Sequence, residues 1–456
     1  MPTTWGDHLA ANQGAFQEEL MEVLRIPSVS TDPEHKADMV RQAEWIQARL
    51  KRAGVPVADI VPTAGHPLVI GRWTVSDDKP TVLIYGHYDV QPADPLELWE
   101  TPPFEPSIRD GFVYARGSAD MKANLVASIQ AVEALAAQYG RPPVNLTFLY
   151  EGEEEVGSSN LYRYLAEHGG DITCDIVISA DSGFPAVDVP GFFVALKGMC
   201  GCQIDIKTGE TDLHSGGYGA SVPNANQVMA QLAATFHDDE GRVAIDGFYD
   251  RVAELTAEDR AEIAQASSVQ QDVVAESGTY TLWGEPGYSP AERIYGRPTL
   301  DINGLWGGFT GEGAKTVTPC EAHLKLTCRL VPDQDPKEIL ELIEAHVRKH
   351  LYPGVQVSFR RKEGIAYPYS IPRDNWALQR AASVISDLYA ASPVFFRVGG
   401  SVPVTSEFKR YLNAETVSLG FFQPGTPIHA PNEWFRLKDL PMAQKGYAAV
   451  IEALGD

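Results

Sequence analysis

Positive charge is scarce in this chain. It carries 61 Asp and Glu against 37 Lys and Arg, a formal net charge of −24. That balance argues against nucleic acid or an anionic membrane surface as partner. Long apolar runs are missing as well. No stretch approaches the ~20 residues needed to span a bilayer, so no membrane association is expected. The opening segment MPTTWGDHLAANQGAFQEELMEVL has no basic start and no apolar middle, so a secretory signal is not expected. Leu9, Phe16, Leu20, Val23 and Leu24 instead fit one face of an amphipathic helix. Cysteine is sparse: Cys174, Cys200, Cys202, Cys320 and Cys328 are odd in number and form no CxxC pair. The plain reading is a reduced, cytoplasmic protein with buried thiols. Internal repeats and low-complexity segments are also absent.

What is present is an ordinary globular composition, 44% hydrophobic and 21% charged, over 456 residues. That length exceeds what one core usually supports, so two domains are expected. The first part alternates apolar strand-like runs (HPLVIGRW, PTVLIYG, VNLTFLY, CDIVISA) with helical patterns (MKANLVASIQAVEALAAQYG, LYRYLAEHG). Such alternation predicts an α/β domain whose mostly parallel central sheet is flanked by helices. Near Lys197 the pattern changes. GCQIDIKTG alternates as a half-exposed strand, Asn224–Phe236 reads as a helix, and EAHLKLTCRLV is another strand. DQDPKEILELIEAHVRKH is a helix with Asp335 as N-cap and Pro336 at its first position, and GVQVSFRRKEG is a closing strand. The expected organisation is therefore a smaller α+β domain over 197–368, inserted into a larger one made of 1–196 and 369–456. NWALQRAASVISDLYA, ETVSLGFF and a last helix near Pro441–Leu454 complete the larger domain.

Three of the buried strands end in groups able to bind metal. VLIYG runs into His87 and Asp89, VNLTFLY into EGEEE, and CDIVISA into Asp181. The carboxyl ends of parallel strands share one ligand-binding edge. Asp120, before the long helix, and His429, in the loop GTPIHAPNEW, are positioned to join them. Each group also has an ordinary explanation. Asp120 serves as an N-cap, Glu153–Glu155 as first-turn acids of the next helix, and His429 as a loop histidine. Taken together, histidines and carboxylates without cysteine suit Zn²⁺, Mn²⁺ or Co²⁺ with positions open to water.

IYGHYDVQP, RGSADMK, YEGEEEVGS, ISAD and PIHAPNE, in this order, resemble the di-zinc aminoacylase/carnosinase family of metallopeptidases. TDLHSG, CRLVPD and RVGGSVPVT are similar to its dipeptidase branch, the carnosinase-like cytosolic non-specific dipeptidases. The resemblance implies a zinc-peptidase-like catalytic domain, with the inserted domain serving as lid and dimerisation element. It implies two divalent ions per subunit, zinc foremost with manganese or cobalt as alternatives, bridged by Asp120 and a water. His87 and Asp181 would hold one, Glu155 and His429 the other. Asp89 would orient the His87 ring and Glu154 would be the general base. His214 would stabilise an oxyanion, in the family at the partner subunit's site. Arg329 would clamp the substrate carboxylate, with Gly399, Gly400 and Ser401 as its loop and Thr316 near the oxyanion. The activity implied is hydrolysis of a dipeptide or similar short amide with a free carboxylate, by a homodimer. The alternatives are an N-acyl amino acid deacylase on the same metal core, or a catalytically dead binding protein. The chain departs from the family at Ala123, where Gly is usual, and at Glu153, whose extra charge is expected to act on the base. Glu151 has no expected role.

Overall fold

The computed structural model describes residues 4–269, 275, 277–362 and 364–456. The chain divides into two compact units. The first is Met1–Val194, Ile371–Phe396 and Val404–Asp456; the second is Ala195–Ser370 and Arg397–Pro403.

The first unit is built on a six-stranded sheet. Its order is Val57–Val61, Leu68–Trp73, Asn145–Glu151, Thr81–His87, Ile176–Ser179, Glu415–Ser418. The last four strands are parallel, and Leu68–Trp73 runs antiparallel to both its neighbours. Every residue of Thr81–His87, Asn145–Glu151 and Ile176–Ser179 is buried. Their continuous apolar character follows, because a parallel strand covered on both faces has no side to give to water. The helix Ala123–Tyr139 is apolar almost all round because it packs on Trp5–Leu24 and Asp439–Leu454 as well as on the sheet. In Trp5–Leu24 the buried face includes all five residues expected from the sequence. Thr4 and Asp7 close its start as a reciprocal capping box.

The second unit holds a four-stranded antiparallel sheet. Its order is Thr299–Gly307, Glu321–Leu330, Gly198–Lys207, Gln356–Arg361. Cys200, Cys202, Ile204, Leu326, Cys328 and Leu330 line one face and form a core with the helices Ala225–Ala234 and Pro336–His350. Asp335 caps the latter helix, accepting from the amides of Lys337 at 2.7 Å and Glu338 at 3.4 Å. The closing strand is Gln356–Arg361, and Glu363 of the expected segment lies outside the described residues.

The second unit runs two residues further at each end than the expected 197–368, and one segment changes unit. Segment 397–403 was expected in the larger domain but groups with the second unit. Arg397 pairs there with Asp259 and, at 3.3 Å, with Glu262. The Lys197 amide donates to the carbonyls of Val398 at 3.3 Å and Gly400 at 3.0 Å.

Candidate metal centre

The long buried helix does not start at Asp120. Its first residue is Ala123, and Lys122 before it makes no side-chain cap. Asp120 sits in a turn at φ −114°, ψ 90°, joined to Met121 by a cis peptide bond. An N-cap therefore does not account for it. Its two oxygens go to different imidazoles: Oδ1 lies 3.1 Å from His87 Nε2 and Oδ2 lies 3.0 Å from His429 Nε2. His87 Nε2 also faces Asp181 Oδ1 at 3.9 Å, and His429 Nε2 faces Glu155 Oε2 at 3.3 Å. Two groups result, His87–Asp120–Asp181 and Asp120–Glu155–His429, and within each the donor atoms lie within 4.8 Å of one another. Asp120 belongs to both.

The acidic turn has a second geometry that the sequence did not reveal. Glu154–Val156 forms one tight turn ended by Gly157 at φ 93°, and the next helix begins only at Ser159. These acids are therefore not its first turn. Asp89 holds them in place. Its Oδ1 accepts from the Glu154 amide at 3.2 Å and its Oδ2 from the Glu155 amide at 3.1 Å. The His87 Nδ1–H donates to the Asp89 carbonyl at 3.1 Å, leaving Nε2 as the nitrogen that faces the cluster. Gln91 Nε2 donates to Glu155 Oε2 at 2.8 Å. Gly152 is required beside this turn, because a Cβ there would lie 2.6 Å from the Tyr88 ring.

The electrostatics of the cluster are those of an anionic site. Burial, together with the charges of Asp181, Glu155 and Asp120, pushes the Glu154 carboxyl well above its usual range, with His87 opposing. Burial and the charges of Asp120 and Glu155 push Asp181 up to about 7. Hydrogen bonds to Asp120 and Glu155 raise His429 to about 10. Burial opposes charge on His87, yet the hydrogen bonds to Asp120 and Asp89 outweigh it and raise its pKa. Asp120 is lowered because His429 and His87 outweigh the cost of burying it. No Lys or Arg pairs with any of these carboxylates among the described residues. Carboxylates crowded this closely with only imidazoles between them fit divalent cations, which would compete with protons for the same atoms.

Other residues of the sequence analysis lie in the second unit. His214 pairs in register with Val317, next to Thr316, whose carbonyl accepts from the Ser215 amide at 3.1 Å. His214 Nδ1 accepts from the Gly216 amide at 3.0 Å. In the neutral ring this makes Nε2 the protonated nitrogen. The side chain is exposed. Arg329 finds no carboxylate among the described residues. Its Nη1 donates to Ser401 Oγ at 3.3 Å, so it is not the surface ion pair that an alternating strand would allow. Gly400 accepts from the Lys197 amide and Gly399 packs on Ile294.

Two residues of the acidic stretch have roles that the sequence did not show. Glu153 has hydrogen-bond partners of its own. Its carboxylate accepts from the His66 amide at 3.1 Å and from Asn160 Nδ2 at 2.7 Å, fastening the turn to the neighbouring loop. Glu151 gains a role: buried, it accepts from the Tyr85 hydroxyl at 2.8 Å and Ser158 Oγ at 2.9 Å. Sequence reasoning missed Glu433 altogether. This buried carboxylate accepts from Arg116 Nη1 (2.7 Å) and from the amides of Gly117 (2.8 Å), Ala119 (2.8 Å) and Asp120 (3.1 Å). It shapes the turn that presents Asp120. Its position in PIHAPNE, four residues after His429, was the available signal.

The sequence profile of Peptidase family M20/M25/M40 matches residues 83–453. The chain belongs to this family. A Cys-Gly metallodipeptidase of Candida albicans is 30% identical over 442 residues, spanning 92% of this chain and 90% of that protein. Among solved structures, an M20 family metallo-carboxypeptidase from Sulfolobus solfataricus superposes with a TM-score of 0.79 at 31% identity, covering 96% of this chain and 99% of that one. The di-peptidase Dug1p from Saccharomyces cerevisiae superposes with a TM-score of 0.74 at 26% identity, over 100% and 99% of the two chains.

Proposed function

We propose that this M20 chain is a metal-dependent dipeptidase acting on short peptides with a free terminal carboxylate. The observation that carries the reading is Asp120, whose two oxygens serve two histidine–carboxylate groups beside the raised carboxyl of Glu154. His87 with Asp181, and Glu155 with His429, Asp120 belonging to both groups, would hold two divalent ions, zinc foremost and manganese or cobalt as alternatives, and bound ions would supply the charge that acidifies a water and polarises the scissile carbonyl. Glu154 takes the water's proton and passes it to the leaving amine, as base and then acid. The Nε2–H of His214, with Thr316 beside it, donates to the developing oxyanion. Arg329 holds the terminal carboxylate, with Gly399, Gly400 and Ser401 as the surrounding loop.

Support comes from the named activities of the relatives. The Candida protein is called a dipeptidase and the Sulfolobus protein a carboxypeptidase, and both chemistries read a free carboxyl end. None of the expected ligands nor the base is missing, which counts against a catalytically dead binding protein. A hydrolysis panel of dipeptides, tripeptides and N-acyl amino acids with added Zn²⁺ or Mn²⁺ tests the reading. Dipeptides should turn over fastest. A preference for N-acyl amino acids would install the deacylase reading, and tripeptides as best substrates a carboxypeptidase.

The second unit is proposed as lid and dimerisation domain. Its outer strand Thr299–Gly307 has one edge unpaired among the described residues and exposes Ile302, Leu305 and Trp306, which supports a partner copy there. If His214 serves the partner's site, Glu154→Gln and His214→Ala proteins, each inactive alone, should regain about a quarter of wild-type activity when their subunits are mixed at random. That fraction follows from one intact site in each mixed dimer, mixed dimers being half of a random population. Verified mixed dimers without recovery would remove the shared site. No helix among the described residues is long and apolar enough to cross a membrane. A cytoplasmic location remains part of the proposal, resting on the unpaired cysteines.

A further inference from the structure

Lys197 forms no ion pair among the described residues. It is 3% exposed, and its Nζ has one hydrogen bond, to the Arg293 carbonyl at 3.3 Å. No carboxylate pairs with it among the described residues. The neighbouring Arg297 differs in this respect, since Glu285 accepts from its Nε at 2.8 Å. Burying an ammonium with two of its three N–H groups unassigned is costly unless an anion completes the site.

Its surroundings identify that anion. The Ser401 hydroxyl lies between Lys197 and Arg329, donating to the Lys197 carbonyl at 2.5 Å and accepting from Arg329 Nη1 at 3.3 Å. Arg329 is the register partner of Met199. Arg329 and Met199 therefore share one face of the sheet, and Lys197 lies just before the strand Gly198–Lys207, close enough for the Arg329 charge to bear on its ammonium. That face lies opposite the one carrying Cys200 and Cys328 into the core. Ser401 thus joins the main chain of one cation to the guanidinium of the other, and neither cation forms an ion pair among the described residues. Asp301 is the acid whose charge reaches Lys197, without forming an ion pair with it, and its Oδ2 accepts from the Thr299 hydroxyl at 2.9 Å. Burial, with Arg329 and Arg297 adding to it, brings the Lys197 ammonium down to about 7, so a bound anion would favour its charged form.

We propose that Lys197 is the second cation of the carboxylate site opened by Arg329, and that it selects peptides with a free carboxyl end over those without one. This rests on the reading of Arg329 as the substrate clamp. A structural role is the competing account. One N–H of Lys197 caps the carbonyl end of the short helix Pro290–Gly296, and that alone would leave ligand preference untouched.

The test is equilibrium binding in the zinc-loaded Glu154→Gln protein, which is expected to bind without cleaving. The probes are alanyl-alanine and its C-terminal amide, with calorimetry as readout. The parent should prefer the acid by at least about ten-fold, the scale of one charge-assisted bond. Adding Lys197→Met should weaken the acid about ten-fold and leave the amide within two-fold, while Lys197→Arg should restore most of the preference. An unchanged acid-to-amide ratio in Lys197→Met would overturn the proposal. So would an equal loss for both probes accompanied by a lower Tm, or a parent with no preference for the acid. Failure of the dipeptidase reading would show separately, as wild-type protein that cleaves no peptide.

Discussion

Glu154→Gln should leave the metal content of the protein unchanged and lower kcat by about 10³-fold or more. The amide matches the carboxylate in shape but cannot accept and return the proton, and general base–acid catalysis contributes roughly 10²–10⁴-fold. Glu154 belongs to neither of the two donor groups, so its loss removes no ligand. Its backbone is secured independently, since the amide donating to Asp89 is untouched by the substitution. Metal analysis and single-turnover kinetics on the same preparation separate the two effects. Near-normal turnover in loaded protein would take the base role away from Glu154, and loss of metal would make it a ligand.

Asp120→Ala should have the opposite signature, losing metal and activity together. Removing its side chain deprives both donor groups of their common member, leaving His87 with Asp181 and His429 with Glu155. Outer partners of metal ligands already cost about 10–100-fold in affinity when removed, and a shared inner ligand should cost more at both positions. Metal content measured after dialysis should fall from two ions per chain to one or none, with no recovery of activity at micromolar metal. A variant that retained two ions would show that the two groups are filled independently. Glu433→Ala offers a useful contrast, because it disturbs the Asp120 turn while leaving every proposed ligand in place.

Most of the proposed ligands were legible in the sequence because they follow a continuous apolar run or precede a strongly apolar helix, His429 in its loop being the exception. In a parallel sheet those ends have a common edge, so VLIYG, VNLTFLY and CDIVISA located His87, the acidic turn and Asp181 without any contact being known. What holds the ligands was not legible. Glu433 lies 313 residues from Asp120, and an acid in a loop carries no sign of which distant amides it will meet. The anchoring by Glu153 was hidden for the same reason, its partners being His66 and Asn160. The strand Thr299–Gly307 escaped notice because a register shift between Ile302 and Gly304, together with its edge position, breaks the two-residue alternation. Segment 397–403 was misplaced because VGGS has no apolar pattern to declare which core it joins.

The Asp89 and Glu433 carboxylates have one property in common that bears on redesign. Asp89 spends both oxygens on main-chain amides of the acidic turn, and Glu433 spends most of its bonds on those of the Asp120 turn. An amide is the same whatever side chain follows it. The turns are thus clamped by groups indifferent to what those turns display, and the display can be exchanged like a fitting in a fixed socket. Cysteine or histidine placed at 155, or a shorter acid at 154, would inherit a backbone already in position. The chain therefore offers a scaffold on which a different metal, or a base of different reach, can be installed by changing one residue at a time.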